Sequence, residues 1–242
     1  MSVLSELDPD VAYPATPSVP DSDLHSLVRY LTYGALREHF AGRPDCFVGQ
    51  DLNIYYRRHP RRASVAPDVF VCYGVHSGDL ELAASYRLWD VGAPPAFVLE
   101  IASENTYPAD LEEKPAKYLE MGVEEYWRLD PTGGDFYTPI LQGDRRTGDT
   151  WEAIAVDDDG NGGLCGHSGV LNLDLCAQAH QLRLRDPRTG NWIPDPTEMR
   201  HQRDHLRESR DAAEARAEAA EARAEAAEAE LAALRTRPDD QT

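Results

Sequence analysis

The sequence predicts an α/β (α+β) fold, a mixed β-sheet flanked by helices and followed by one long helix, on three observations. Apolar residues recur at three- and four-residue steps from Leu24 to Leu36. The short run Ala96-Phe-Val-Leu-Glu-Ile-Ala102 has the length of a strand and is followed by a second helical period. From about Thr197 the composition narrows to Ala, Glu and Arg with a seven-residue repeat.

Residues 1–20 mix four prolines with acidic and small residues and have no apolar period, so they read as a disordered arm. Asp21 or Ser22 then caps a helix carrying Leu24, Leu27, Val28, Leu31, Ala35 and Leu36 on one side and ending near Gly42. Three strand-like runs follow at Cys46–Val48, Asp51–Tyr56 and Ser64–Tyr73, the last two joined by a hairpin tip, His59-Pro-Arg-Arg62. After a polar connector comes the strand 96–102, whose alternation places Phe97, Leu99 and Ile101 on one face and Val98, Glu100 and Ala102 on the other. A helix from about Ala109 to Met121 stops at Gly122, and Val123–Leu129 reads as a further strand. Weaker strands with Gly and Asp turns fill 136–185, Asp157–Gly163 turning between two of them and Asp157–Asp159 reading as solvated. These boundaries give a domain over 21–197, a coiled-coil-like helix over 198–236 and a disordered tail over 237–242.

The repeat AEARAEA occupies 213–219 and again 220–226. Positions 213, 217, 220, 224, 227, 231 and 234 form a seam of five alanines and two leucines, and a second, all-alanine seam leaves the register open. Neither Arg216 nor Arg223 has a Glu three or four residues away, so contacts within one helix do not account for them. A homo-oligomer, a dimer in the simplest case, assembled through the core and this C-terminal helix is the expectation, the alternative being a solvated, fraying Ala-rich helix.

Charge narrows the partners. The chain carries 24 Lys+Arg against 43 Asp+Glu, a formal net charge of -19, of which residues 1–197 hold 16 and 31 and residues 198–242 hold 8 and 12. Bulk charge therefore cannot drive binding to a polyanion, and any nucleic-acid contact needs a local basic patch. Arg57, Arg58, Arg61 and Arg62 around the hairpin tip, with Arg145 and Arg146, are the candidates. No apolar run approaches the ~18–20 residues of a membrane span, and Met1–Pro20 lacks the basic start and apolar stretch of a signal peptide, so a cytoplasmic protein without membrane contact is expected. Its four cysteines, 46, 72, 165 and 176, then read as free buried thiols. Cys165-Gly-His167 lacks the second pair a zinc site requires, and no nucleophile elbow or phosphate loop is present.

Glu100 is the most informative residue, because it is the only charge inside AFVLEIA. An unpaired carboxylate there would cost several kcal/mol on an order-of-magnitude scale, so a cation or a hydrogen-bonded protonated state must hold it. Asp68, after Pro67 at the head of an apolar run, is the second acid; the two on neighbouring strands would bind a hard divalent cation through oxygen. The chain has 22 arginines and only two lysines, Lys114 and Lys117, both just after the Glu100 strand. A position that kept lysine suits a compact ammonium that orients a hydroxide, which a planar guanidinium does poorly.

VAPDVFVCYGV, PPAFVLEIASENTYPADLEEKPAKYLEMGVEEYWRLDP and PILQGDRR together resemble the bacterial Uma-two-type putative restriction endonucleases, a branch of the PD-(D/E)XK nuclease superfamily, over about 21–197. The resemblance implies a restriction-endonuclease-like core in which Asp68, Glu100 and the main-chain carbonyl of Ile101 ligate Mg2+ (or Mn2+). It implies hydrolysis of DNA phosphodiester bonds with Lys114 as the catalytic lysine and Lys117 in reserve. The lysine of the superfamily signature would fall at Ala102 and is absent, and Pro115 directly after Lys114 removes a helical hydrogen bond if it lies within a helix. Asp110 is expected to cap that helix, and Glu38 to approach the site from the N-terminal helix. A second reading is a catalytically inactive module of the same fold that oligomerises through its C-terminal helix.

Overall fold

Ser22 does what its position predicts: its Oγ accepts from His25 N at 3.2 Å and starts helix α1, Asp23–His39. In the computed structural model residues 22–58, 63–80, 83–160, 162–178 and 180–235 are described. The N-terminal arm, Arg61, Arg62 and the C-terminal tail lie outside them. The buried stripe of α1 is His25, Val28, Thr32, Ala35 and Leu36, with Leu27 exposed, so two polar residues take places the apolar period assigned to leucines.

Strands β1 (Cys46–Gln50), β2 (Ile54–Tyr55), β3 (Ser64–Val65) and β4 (Val69–Tyr73) follow. Pro67 and Asp68 break the expected run 64–73 in two, because proline cannot donate to a ladder. The connector holds α2 (Ser77–Leu80), β5 (Tyr86–Arg87) and α3 (Leu88–Val91). Next come β6 (Phe97–Ile101), α4 (Tyr107–Glu112), α5 (Lys114–Met121) and β7 (Glu125–Leu129). The single expected helix over 109–121 is thus two, broken at Glu113, with Pro115 in the first turn of α5, where its missing N–H costs no helical bond. Gly122 ends α5 at φ +91°, a left-handed conformation that glycine adopts without strain.

Strands β8 (Leu141–Thr147), β9 (Thr150–Ala153), β10 (Val156–Asp158), β11 (Leu164–Ser168), β12 (Leu173–Gln178) and β13 (Gln181–Arg185) complete the unit Met1–Asp195. The main sheet runs β1-β4-β6-β7-β8-β9, with β6 and β7 parallel and the other neighbours antiparallel. A second sheet runs β10-β11-β12-β13, and β3-β2-β5 makes a small third one that contains the expected hairpin.

Both faces of the central strands β4, β6 and β7 are buried, and the alternation of β6 sorts them. Phe97, Leu99 and Ile101 pack with Val28 and Leu36 of α1 and with Leu173, Leu175, Leu182 and Leu184 of the second sheet. Val98 packs on the other side with Phe70, Tyr118, Met121 and Tyr126. Cys46 and Cys72 are buried free thiols, as expected, but Cys165 and Cys176 form a disulfide. They stand directly opposite each other on antiparallel β11 and β12, with Cα atoms 4.1 Å apart, a contact that their eleven-residue separation does not reveal.

Asp130 closes β7 by accepting four hydrogen bonds: Thr132 N at 2.9 Å, Thr132 Oγ1 at 2.6 Å, Phe136 N at 2.8 Å and Tyr137 N at 3.1 Å. Burial pulls its pKa up, and these donors outweigh it and hold the carboxyl below its usual value. A folded pKa below the unfolded one means that the stabilisation is full above about pH 4 and is lost as pH falls through the folded value. Asp130→Asn is therefore expected to cost about 1–2 kcal/mol at neutral pH and to flatten the acid side of a Tm-against-pH curve. Urea unfolding of both proteins checks it; identical acid limbs would remove the assignment.

The unit Pro196–Thr242 contains the long helix α6, Pro196–Arg235. Its side chains from Arg200 to Ala229 are exposed, and Arg210 pairs with Asp211 at 3.1 Å and Glu214 at 3.7 Å.

Candidate active site

The two acids singled out in the sequence come to one place. Val69 of β4 pairs with Leu99 of β6, and Asp68 and Glu100 are the next residues along the two segments. Asp68 Oδ2 accepts the Ile101 N–H at 2.7 Å, which ties the first acid to the strand of the second. Its Oδ1 lies 3.1 Å from His25 Nε2 and 3.6 Å from Arg29 Nη1, both from the N-terminal half of α1.

Glu100 is 1% exposed and is held at both oxygens: Lys114 Nζ lies 2.8 Å from Oε2, and the Tyr118 hydroxyl donates to Oε1. Lys114 Nζ also lies 2.8 Å from Asp110 Oδ1. Asp110 is not a helix cap; Thr106 occupies that position, and Asp110 is fully buried inside α4 with Tyr126 donating to its main-chain carbonyl at 2.8 Å. Asp110, Lys114 and Tyr118 recur at four-residue spacing, and the break at Glu113 keeps them together beside β6.

The charges follow from that packing. Burial pushes Glu100 well above the usual carboxylate range, Asp110 and Asp68 add to it, and Lys114 opposes it. Burial likewise raises Asp110 against the pull of Lys114. Burial would raise Asp68 too, but the His25 hydrogen bond and charge, Lys114 and the Ile101 N–H hold it below its usual value. Burial alone would favour a neutral Lys114; the three carboxylates reverse this and keep it an ammonium.

Other expected residues lie elsewhere. Lys117 pairs with Glu113 at 3.2 Å on the outer side of α5. Glu38 is exposed near the end of α1, thirteen residues beyond His25 and so about 20 Å along the helix axis; α1 reaches the acids through His25 and Arg29 instead. Arg57 pairs with Glu120 of α5, and Arg58 lies 5.7 Å from the Trp89 ring centroid, both remaining exposed. Arg145 is 3.5 Å from Glu125, and Arg146 is 3.8 Å from Asp149.

Among the described residues no three His, Cys, Asp or Glu side chains already converge closely enough to hold an ion; Lys114 stands between Glu100 and Asp110. The donor set nevertheless fits a hard divalent cation. Its donors are carboxylate oxygens: Glu100 and Asp110 flank the Lys114 ammonium, Asp68 bonds the residue next to Glu100, and Asp110 Oδ2 is buried without a hydrogen-bond partner.

The family model described as "Uma2: Putative restriction endonuclease" matches residues 15–159, more than half of the chain. Among solved structures, the chain is similar to a putative nuclease from Anabaena variabilis, with 14% identity and a TM-score of 0.41 over 58% of this chain and 74% of that one. No curated protein matches.

Proposed function

Because the chain belongs to the Uma2 family of putative restriction endonucleases, we propose that it is a Mg2+- or Mn2+-dependent DNA endonuclease that hydrolyses phosphodiester bonds by a PD-(D/E)XK-type mechanism. The observation that carries this reading is that Asp68 accepts the N–H of Ile101, the residue next to Glu100, while Glu100 carries the Lys114 ammonium.

Asp68, Glu100 and the Ile101 carbonyl would hold the cation, with Asp110 as a further oxygen donor. Bound there, it supplies a lowered pKa for water and a positive charge against the reacting phosphate. Lys114 holds the attacking hydroxide in line and offsets charge on the phosphoryl oxygens, as fixed cations do where charge develops. Asp110 aims that ammonium. His25 and the Ile101 N–H fix the Asp68 carboxylate, and burial of both acids limits competing water. Arg57 and Arg58 contact the DNA backbone; Arg57, through Glu120, is tied to the helix that carries Lys114.

The test is incubation of the purified protein with supercoiled plasmid and Mg2+ or Mn2+. Nicking is expected, and nicking that persists in an Asp68→Ala, Glu100→Ala double variant would exclude this site. An inactive module of the same fold would show neither nicking nor a divalent-linked rise in Tm, whereas a bound ion stabilises by mass action.

Helix α6, exposed from Arg200 to Ala229, supports homo-oligomerisation through the alanine and leucine seam of its sequence. Light scattering on the full chain and on a chain ending at Asp195 is expected to give different subunit numbers. Equal numbers would remove the helix as the assembling element.

A further inference from the structure

We propose that Tyr118 is a positioning residue for Glu100: by holding Oε1 while Lys114 holds Oε2, it fixes the plane in which the carboxylate is presented to the cation. The inference deepens the nuclease reading and rests on it.

Tyr118 is fully buried, and its ring packs against Tyr126 with centroids 5.0 Å apart, so the phenol has little freedom to swing away. Its hydroxyl donates to Glu100 Oε1, and Lys114 sits on Oε2 at 2.8 Å. A glutamate's terminal torsion is broad and its two oxygens are chemically equivalent. One ammonium contact alone would let the carboxylate turn about its own axis. A second contact on the other oxygen fixes the plane and makes the two oxygens distinct. Both contacts come from α5 at four-residue spacing, so a single rigid helix sets the orientation. Asp110 of α4 meets Lys114 through Oδ1, and its Oδ2 is buried without a hydrogen-bond partner.

A buried phenol satisfied by a nearby carboxylate would look similar if it served packing alone, so the experiment separates the two roles. Mn2+ binding to the full-length protein is measured by calorimetry and by ion-linked Tm rise for the wild type, Tyr118→Phe and Tyr86→Phe. Tyr86 is a control: it is fully buried, and its hydroxyl donates to the Ala93 carbonyl at 2.5 Å, outside the acid cluster. Tyr118→Phe is expected to weaken Mn2+ binding by about 10- to 100-fold, the usual effect of removing a partner that orients a ligand. Tyr86→Phe is expected to lower Tm while leaving the affinity unchanged.

The second measurement is a double-variant cycle with Glu100→Gln, read in the metal-free urea midpoint. If Tyr118 acts through Glu100, the two losses are expected to be non-additive. Wild-type affinity in Tyr118→Phe, or strictly additive midpoints, would overturn the positioning role while leaving the site intact. A wild type with no ion-linked Tm rise would overturn the cation site and this inference together.

Discussion

Lys114→Met is expected to lower the unfolding free energy by about 3–5 kcal/mol, the cost of breaking a buried ion pair by removing one partner. Glu100 is 1% exposed, Asp110 is fully buried and the Lys114 side chain is 14% exposed, so little solvent reaches the charges left behind. Methionine fills a similar volume and supplies no charge. Protonation of Glu100, whose pKa burial has already raised, would relieve part of the cost, which places the expected value at the lower end of the range. Urea unfolding measures it, and Glu100→Gln in the same chain is expected to recover part of the loss. A single variant as stable as the wild type would mean that the ammonium does not neutralise this cluster.

The double replacement Asp68→Ala, Glu100→Ala is expected to reduce divalent-dependent plasmid cleavage by about 10^3-fold or more. A cation at the reacting phosphate supplies several kcal/mol, and each 1.36 kcal/mol is worth about tenfold in rate. Folding is expected to survive, because Lys114 keeps Asp110 as a partner. The isosteric pair Asp68→Asn and Glu100→Gln keeps the shape and removes the charge, so a similar loss there would assign the effect to the carboxylates. Cleavage rates from nicked-to-supercoiled ratios, with far-ultraviolet circular dichroism as the folding control, decide it.

Period-two alternation around Glu100 showed in the sequence which residues of β6 face which core, because both faces of that strand are buried. The convergence of Asp68 and Glu100 needed only a strand pairing, which the apolar runs around both acids suggested. Lys114 stood out because lysine is so scarce in this chain. His25 and Arg29 were hidden inside an amphipathic helix, where one buried histidine at helical spacing resembles any core position. Their contact with Asp68 depends on how α1 crosses the end of the sheet, which local pattern does not encode. Asp110 was misassigned for a related reason: an acid near a helix start usually caps it, and here Thr106 takes that place while Pro115 starts a second helix. The spacing from Asp110 to Lys114 to Tyr118 was a readable signal for a shared face. The Cys165–Cys176 bond was not readable, since the expectation of reduced thiols rested on compartment while the bond rests on register.

The leucines that the second sheet contributes to the main core bear on how the chain can be divided. The family-matched stretch ends at Asp159, while Leu173, Leu175, Leu182 and Leu184 lie beyond it and cover Leu99, Ile101 and the inner side of α1. A fragment cut at that boundary would leave an oily slab facing water on the reverse of the strand that bears Glu100. In this protein the hairpins after residue 159 are the floor on which the acids stand, and a chain ending at Asp159 is expected not to fold on its own.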